Sequence, residues 1–209
     1  MNSTLKKVLS QLILGILAGI LISIGGCIFL ACDDKYIGAL LFCVALLFIC
    51  YLEYTLFTGK VGFMLETCTK DGWTTLLVGL LGNLIGTVVF GYLLRYAIGG
   101  IGDKAYAICS LKLELSIWQV LIKGVMCGML MYIAVFVFKK FNKNVIGILF
   151  CIPTFILAGF EHSIADMFYF ATSGIVSFDA FIFLLIVIIG NAVGGLLLPT
   201  LKMVVEKLK

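Results

Sequence analysis

The sequence has few charged residues for its length. Only 12% of its 209 residues are Asp, Glu, Lys or Arg, whereas 63% are hydrophobic, and the mean hydropathy is +1.21. Soluble domains carry about 25% charged and about 45–50% apolar residues. The composition therefore excludes a soluble globular protein and predicts an integral membrane protein with room for about six spans.

Histidine is nearly absent, because His162 is the only one in the chain. The eight cysteines form no Cys-x-x-Cys pair and no cluster with histidine, and most lie inside apolar runs. Buried cysteine commonly acts as a small apolar side chain, so we expect no metal site and no cofactor. The net charge of +4 requires no nucleic-acid partner, because membrane proteins are biased towards lysine in their cytoplasmic segments.

Long apolar runs predict six membrane crossings within one transmembrane domain, 1–209. The expected crossings are 8–31, 36–54, 74–97, 117–138, 145–160 and 181–201. The second and fifth are interrupted, and short runs at 61–68 and 164–170 continue them. No cleavable signal peptide is predicted, since the first apolar run is too long for one.

Basic residues set the expected orientation, because cytoplasmic segments are enriched in Lys and Arg. With both termini in the cytoplasm, the dense lysine group at 139–143 lies inside. The outer segments then carry only Lys35, Arg95, Lys104 and Lys112. We therefore expect a multi-pass protein of the cell membrane with cytoplasmic termini.

Two Gly-Asn-x-x-Gly motifs, GNLIG at 82–86 and GNAVGG at 190–195, lie three spans apart. Because three is odd, the halves, about 1–100 and 113–209, would have opposite orientations. An interruption precedes each motif, at 56–60 and 159–163, and matched broken helices indicate a substrate path at the midplane. The glycines also suit close helix packing, and Asn83 and Asn191 would bond across helices or to freed backbone.

The interruption of the fifth span, GFEHSIAD at 159–166, holds two acids and the histidine in apolar surroundings. A charge at the bilayer centre costs roughly 2.5 kcal/mol or more, so we interpret the cluster as functional. A satisfied buried His–Asp pair is the structural alternative. At i and i+4 of a helix, Asp166 would fix the tautomer of His162 and favour its protonated form. Glu161 would point elsewhere, towards backbone amides of the opposite interruption.

Lys123 is a second anomaly, because it lies inside the fourth apolar run. Its side chain either extends to the outer interface or sets a positive potential that draws anions into a pore.

Five motifs resemble, in order and over nearly the whole chain, the formate/nitrite transporter family of pentameric anion channels. They are LFTG, GNLIG, KGVMCGMLMYIAV, GFEHSIADMF and GNAVGG. The resemblance implies an all-α, aquaporin-like fold of six spans, with broken helices two and five and one pore per subunit of a homopentamer. It also implies a channel or transporter, not an enzyme, for small monovalent weak-acid anions such as formate, nitrite, hydrosulfide, acetate or lactate. Protons and the lipid bilayer are the other expected partners.

The resemblance also assigns positions along the pore. It implies two constrictions, formed on one side by Leu46, Leu56 and Phe57 and on the other by Phe42 and Phe155. Between them Thr58 and His162 would meet, with Glu161 and Asp166 completing the pore centre, and Lys123 would lie in a vestibule.

Three departures from the family pattern affect the pore. The family usually has Asn where this chain has Asp166 and Gly128, and a lysine early in the first span where Ser10 aligns. Asp166 would repel an unprotonated anion, which favours weak-acid substrates. A bare anion cannot cheaply cross dry rings of Phe and Leu, whereas a neutral acid can.

Two other functions remain open from the residues. A neutral-solute pore of the aquaporin type, passing water, glycerol or urea, explains the inverted repeat but has no need of His162 between acids. A membrane enzyme would use Glu161, His162 and Asp166, yet one histidine and two acids make a thin metal site, and no second polar cluster supplies a nucleophile.

Overall fold

The structure, a computed structural model, describes residues 3–65 and 69–209, and in these residues all regular structure is helical. The helices are α1 (Ser3–Ala31), α2 (Lys35–Tyr51), α3 (Phe57–Lys60), α4 (Lys70–Ala97), α5 (Ile101–Leu113), α6 (Ile117–Lys140), α7 (Ile146–Leu157), α8 (Ser163–Ser173) and α9 (Phe178–Leu208). A 3₁₀ turn, Val61–Phe63, follows α3. The predicted run 61–68 lies partly outside the described residues, and Cys68 lies wholly outside them.

Four of these helices are long and apolar enough to cross a membrane: α1 from Thr4, α4, α6 and α9. The predicted boundaries of these four runs agree with the helices to within a few residues, except that α9 continues to Leu208. Helices α2 and α7 are apolar but shorter. They occupy the places of the second and fifth predicted crossings.

The interruption after α2 lies earlier than the predicted 56–60, and this prediction was wrong at both ends. Helix α2 ends before Leu52, and Glu53 has a φ of 57°, in the left-handed region that side-chain-bearing residues rarely adopt. Residues 52–56 are therefore the non-helical part, and α3 begins at Phe57. In the second half, Gly159 has a φ of 69° between α7 and α8, within the predicted interruption.

The glycines of the two GNxxG motifs lie where helix backbones touch. A Cβ on Gly82 of α4 would be 2.5 Å from the carbonyl oxygen of Leu12 and 2.8 Å from the Cα of Gly15, both in α1. A Cβ on Gly190 of α9 would be 3.0 Å from the Cα of Gly124 in α6. The packing role proposed for these glycines therefore agrees with their positions, since small residues let helices approach closely in membranes.

Gly128 has the same role on α6. A Cβ there would overlap the carbonyl oxygen of Asn191 in α9. The close contact between α6 and α9 therefore leaves no room for a side chain at this position.

Asn83 ties the interruption between α2 and α3 to its neighbours. Its Oδ1 accepts a hydrogen bond from the backbone N–H of Phe57 at 3.0 Å. Its Nδ2 donates to the carbonyl oxygens of Thr55 and Gly15, each at 2.8 Å. One buried amide thus satisfies two backbone groups of the interruption, at Thr55 and Phe57, and ties them to α1.

Asn191 makes the matching set of bonds in the second half. Its Oδ1 accepts from the N–H of Ser163 at 2.8 Å, and its Nδ2 donates to the carbonyls of Glu161 and Gly124, each at 2.8 Å. Phe57 and Ser163, the first residues of α3 and α8, are therefore anchored in the same way.

Helix α5 joins the two halves and was not predicted. It follows Gly100, whose φ is 79°, and it packs against α8, every residue of which is buried. Lys112 lies in the last turn of α5. From the sequence, this lysine was predicted only to lie in an outer segment. In the structure, the packing of α5 against α8 brings it beside α8.

Candidate functional site

His162 and Thr58 meet in the interior, one from each interrupted segment. The Nε2 of His162 lies 2.8 Å from the Oγ1 of Thr58, and the two side chains are 2% and 1% exposed. His162 is the N-cap of α8, and its Nδ1 accepts the backbone N–H of Ala165 at 3.1 Å. A nitrogen that accepts an N–H carries no proton, so Nε2 bears the proton of the ring and donates a hydrogen bond to the hydroxyl of Thr58. The imidazole in this arrangement is neutral.

The predicted pairing of Asp166 with His162 was wrong. As an N-cap, His162 has φ −108° and ψ 109°, in the extended region. Its carbonyl oxygen accepts the N–H of Asp166 at 2.9 Å, but its ring bonds to Thr58 and Ala165. Asp166 Oδ1 instead lies 2.9 Å from Lys112 Nζ. Its other oxygen has no hydrogen-bond partner among the described residues.

Glu161 does not turn towards the opposite interruption, so that prediction was also wrong. Its carboxylate forms an ion pair and hydrogen bond with Lys112, and its Oε1 lies 3.8 Å from Lys123 Nζ. Lys112 therefore bridges the two carboxylates of GFEHSIAD, while Lys123 adds a second, more distant cation. Two positive and two negative side chains balance in this cluster.

Aromatic rings line the approach to His162. Phe155 stacks on the imidazole with ring centres 5.5 Å apart and planes 17° apart. Phe42 meets Phe155 edge-on at 6.4 Å. All three rings border a cavity of about 360 Å³, here called the first vestibule, which Lys112 and Lys123 also line.

A second cavity, of about 600 Å³, lies at the other end of α2 and is here called the second vestibule. Leu46 and Leu56, each 1% exposed, border it. Phe57, the third residue predicted for this constriction, is 4% exposed. The cationic residues that line the second vestibule are Lys60, Lys139 and Lys143.

Lys112 and Lys60 are the site residues that sequence reasoning missed. Lys112 belongs to a different helix from its partners, so no spacing within GFEHSIAD could reveal it. Lys60 directly follows LFTG, and its proximity to the recognised motif was the only available signal. Within residues 3–65 and 69–209 no group of three or more His, Cys, Asp and Glu is placed to hold a metal ion.

Comparison with known proteins identifies this architecture. Residues 1–205 match the sequence model of the formate/nitrite transporter family. The chain is 24% identical to a pentameric formate channel solved with formate bound, with a TM-score of 0.80 and coverage of 98% of this chain and 99% of the other. It superposes on a solved FNT family ion channel with a TM-score of 0.82 at 22% identity, over 98% of this chain and 91% of the other. Both likenesses establish the fold.

Three sequence relatives are named as transporters. The uncharacterized transporter YrhG of Bacillus subtilis (strain 168) is 29% identical over 78% of this chain and 68% of its own length. Formate-nitrite transporter 2 of Toxoplasma gondii is 32% identical over 79% of this chain, and the nitrite transporter NirC of Escherichia coli (strain K12) is 29% identical over 63% of it. The matches span only 40% and 54% of the lengths of these last two proteins.

These findings confirm the resemblance read from the motifs and the expectation of a helical membrane protein, and the family that they indicate is one of transporters and channels. The chain belongs to the formate/nitrite transporter family.

Proposed function

We propose that this protein forms a pore for small monovalent weak-acid anions across the cell membrane. The observation that supports this most directly is the neutral His162, which bonds to Thr58 and borders the first vestibule, while the apolar Leu46 and Leu56 border the second vestibule. Formate and nitrite, which appear in the names of relatives, are the first substrates to test, followed by hydrosulfide, acetate and lactate.

The proposed architecture has six crossings. Helices α2 and α3 together make the second crossing and α7 and α8 the fifth, in inverted halves of about 1–100 and 113–209. The matched bonds of Asn83 and Asn191 support this arrangement. By analogy with the solved pentameric formate channel, the subunits form a homopentamer with one pore each, and the lysines at 139–143 and both termini face the cytoplasm.

The proposed pathway has two dry constrictions. Phe42 and Phe155 form the first, in the part of the first vestibule that His162 also borders, and Leu46, Leu56 and Phe57 form the second, between the pore centre and the second vestibule. Removing the water around an unpaired ion is very costly, so the protonated acid crosses these rings in preference to its anion. The anion takes its proton from water in a vestibule and releases it on the far side.

His162 contributes a hydrogen bond at the centre of this pathway. With Nδ1 occupied by the N–H of Ala165, the ring has no proton to give from that nitrogen. Nε2–H can leave Thr58 and donate to an oxygen of the crossing acid, while the hydroxyl of Thr58 accepts or donates in turn. His162 and Thr58 thereby supply hydrogen bonds that replace those the substrate made with water.

The balanced charges around Lys112 set the proposed preference among anions. Glu161 and Asp166 offset Lys112 and Lys123, so the first vestibule offers little net attraction to a permanent anion. Weak acids, which can cross as neutral molecules, are favoured over strong-acid anions such as nitrate or chloride. The alternative of a pore for water, glycerol or urea is not favoured, since the family is one of formate and nitrite transporters.

Flux measurements in proteoliposomes test this proposal. Wild type and His162→Phe are compared for the five weak acids at several pH values. We expect wild-type flux to rise as pH falls, and His162→Phe to lower it about tenfold or more, as loss of a strong hydrogen bond at the crossing step predicts. Equal flux in both proteins, or flux of urea alone, would contradict the proposal.

A further inference from the structure

Lys60 occupies, in the first half, the position that Asp166 occupies in the second. Asn83 binds the N–H of Phe57, and Lys60 is three residues further along. Asn191 binds the N–H of Ser163, and Asp166 is likewise three residues further along. The two matched half-helices thus carry opposite charges at equivalent positions, one beside each vestibule.

Within residues 3–65 and 69–209, Lys60 differs from Lys112 in forming no ion pair with a carboxylate. Its Nζ donates to the Oγ1 of Thr55 at 2.8 Å, and that hydroxyl donates to the amide oxygen of Gln11 at 2.9 Å. Among the described residues no carboxylate lies within 4.0 Å of this ammonium, whereas Lys112 contacts two. The ammonium has three donors, and the bond to Thr55 uses one of them.

The second vestibule places Lys60 where a small anion would arrive. Lys60 is half-buried and borders the cavity close to Leu56 and Gly59. Lys139 and Lys143 line the same cavity, and Glu53 is the one acid among its described lining residues. Unlike the residues of the balanced first vestibule, the described residues that line this cavity carry an excess of positive charge.

We propose that Lys60 directly binds the transported anion, a small carboxylate or oxyanion, in the second vestibule before it meets the constriction of Leu46 and Leu56. Lys139 and Lys143, nearer the cavity mouth, raise the local anion concentration. This inference rests on the proposed function and adds to it a binding residue and a difference between the two sides of the membrane.

Sided transport measurements test the role of Lys60. Right-side-out and inside-out membrane vesicles present opposite vestibules to radiolabelled formate or nitrite. We expect Lys60→Gln to raise the half-saturating concentration about fivefold when the anion enters from the second vestibule. This factor corresponds to losing the attraction between the anion and one unit charge about 4 Å away in water. Entry from the first vestibule should keep its wild-type half-saturating concentration.

Two further variants separate charge from structure. Lys60→Arg keeps the charge and should keep the wild-type value. Lys207→Gln removes an exposed charge from the last turn of α9 without altering the lining of the second vestibule, and should leave the value unchanged. If Lys60→Gln leaves the half-saturating concentration unchanged, or if Lys60→Arg raises it equally, the inference is overturned. A wild type that passes no anion would instead contradict the proposed function itself.

Discussion

Replacing Asp166 by Asn should strengthen the binding of permanent anions in the first vestibule and so weaken the preference of the pore for weak acids. Asp166 lies 2.9 Å from Lys112, and the two side chains are 2% and 15% exposed. The substitution keeps the shape of the side chain and leaves Glu161 on Lys112. The four charges that line the first vestibule then sum to one positive charge instead of zero.

The size of the first vestibule sets the magnitude of this effect. A sphere of its volume, about 360 Å³, has a radius of about 4.4 Å, so an anion at its centre lies about 4 Å from the wall. The interaction energy between the anion and one unit charge at this distance is about 1 kcal/mol in water and larger where water is excluded. We therefore expect Asp166→Asn to strengthen binding of nitrate or chloride about fivefold or more.

The assay measures initial uptake of nitrate, chloride and formate into proteoliposomes at neutral pH. Asp71→Asn is the matched control, because Asp71 also pairs with a lysine, Lys7, at 3.0 Å, but its side chain is 81% exposed. Nitrate and chloride uptake should rise relative to formate in Asp166→Asn alone. The charge argument would be refuted by an unchanged ratio, or by the same change in the control.

Two predictions concern stability. Thr58→Val removes the acceptor of the buried His162 Nε2–H, so it should lower the free energy of unfolding by about 1–3 kcal/mol. Thr58→Ser keeps a hydroxyl and should restore most of this stability. If thermal denaturation in detergent gives both variants the same stability, the hydrogen bond is not supported. Gly128→Asn introduces the amide common in the family, yet its Cβ would overlap the backbone of Asn191, so it should cost about 1–3 kcal/mol or more. Gly99→Asn, where a Cβ meets no atom within 4 Å, should be nearly neutral in the same assay, and a stable Gly128→Asn protein would show that α6 and α9 separate easily.

Composition and motifs predicted the class of the molecule correctly, because hydrophobic runs and short motifs are local properties of the sequence. The family and the helical membrane architecture are confirmed. The two asparagines were expected to reach freed backbone, and each contacts the residues that flank its own interruption.

Electrostatic partners could not be predicted from spacing. His162 and Asp166 are four residues apart, but His162 ends the extended segment before α8 and its ring bonds to Thr58 and Ala165. The partner of Asp166 comes from α5, a helix that lay in a segment read only as an outer connection. Sequence spacing fixes which residues share a helix face, while tertiary packing decides which charge a carboxylate meets.

The hydrophobic pattern also did not predict where the helices end. The apolar run 36–54 extends past Tyr51, yet the left-handed backbone of Glu53 ends α2 there. Hydrophobicity alone carries no signal for such a conformation in a residue other than glycine.

The central claim is that weak acids cross this pore as neutral molecules past His162. It is tested most directly by the initial rate of formate uptake into wild-type proteoliposomes at a fixed total formate concentration while pH is lowered on both sides. The account predicts a rate that rises with the fraction of protonated formate. A rate that follows the formate anion, constant or falling as pH decreases, would contradict it.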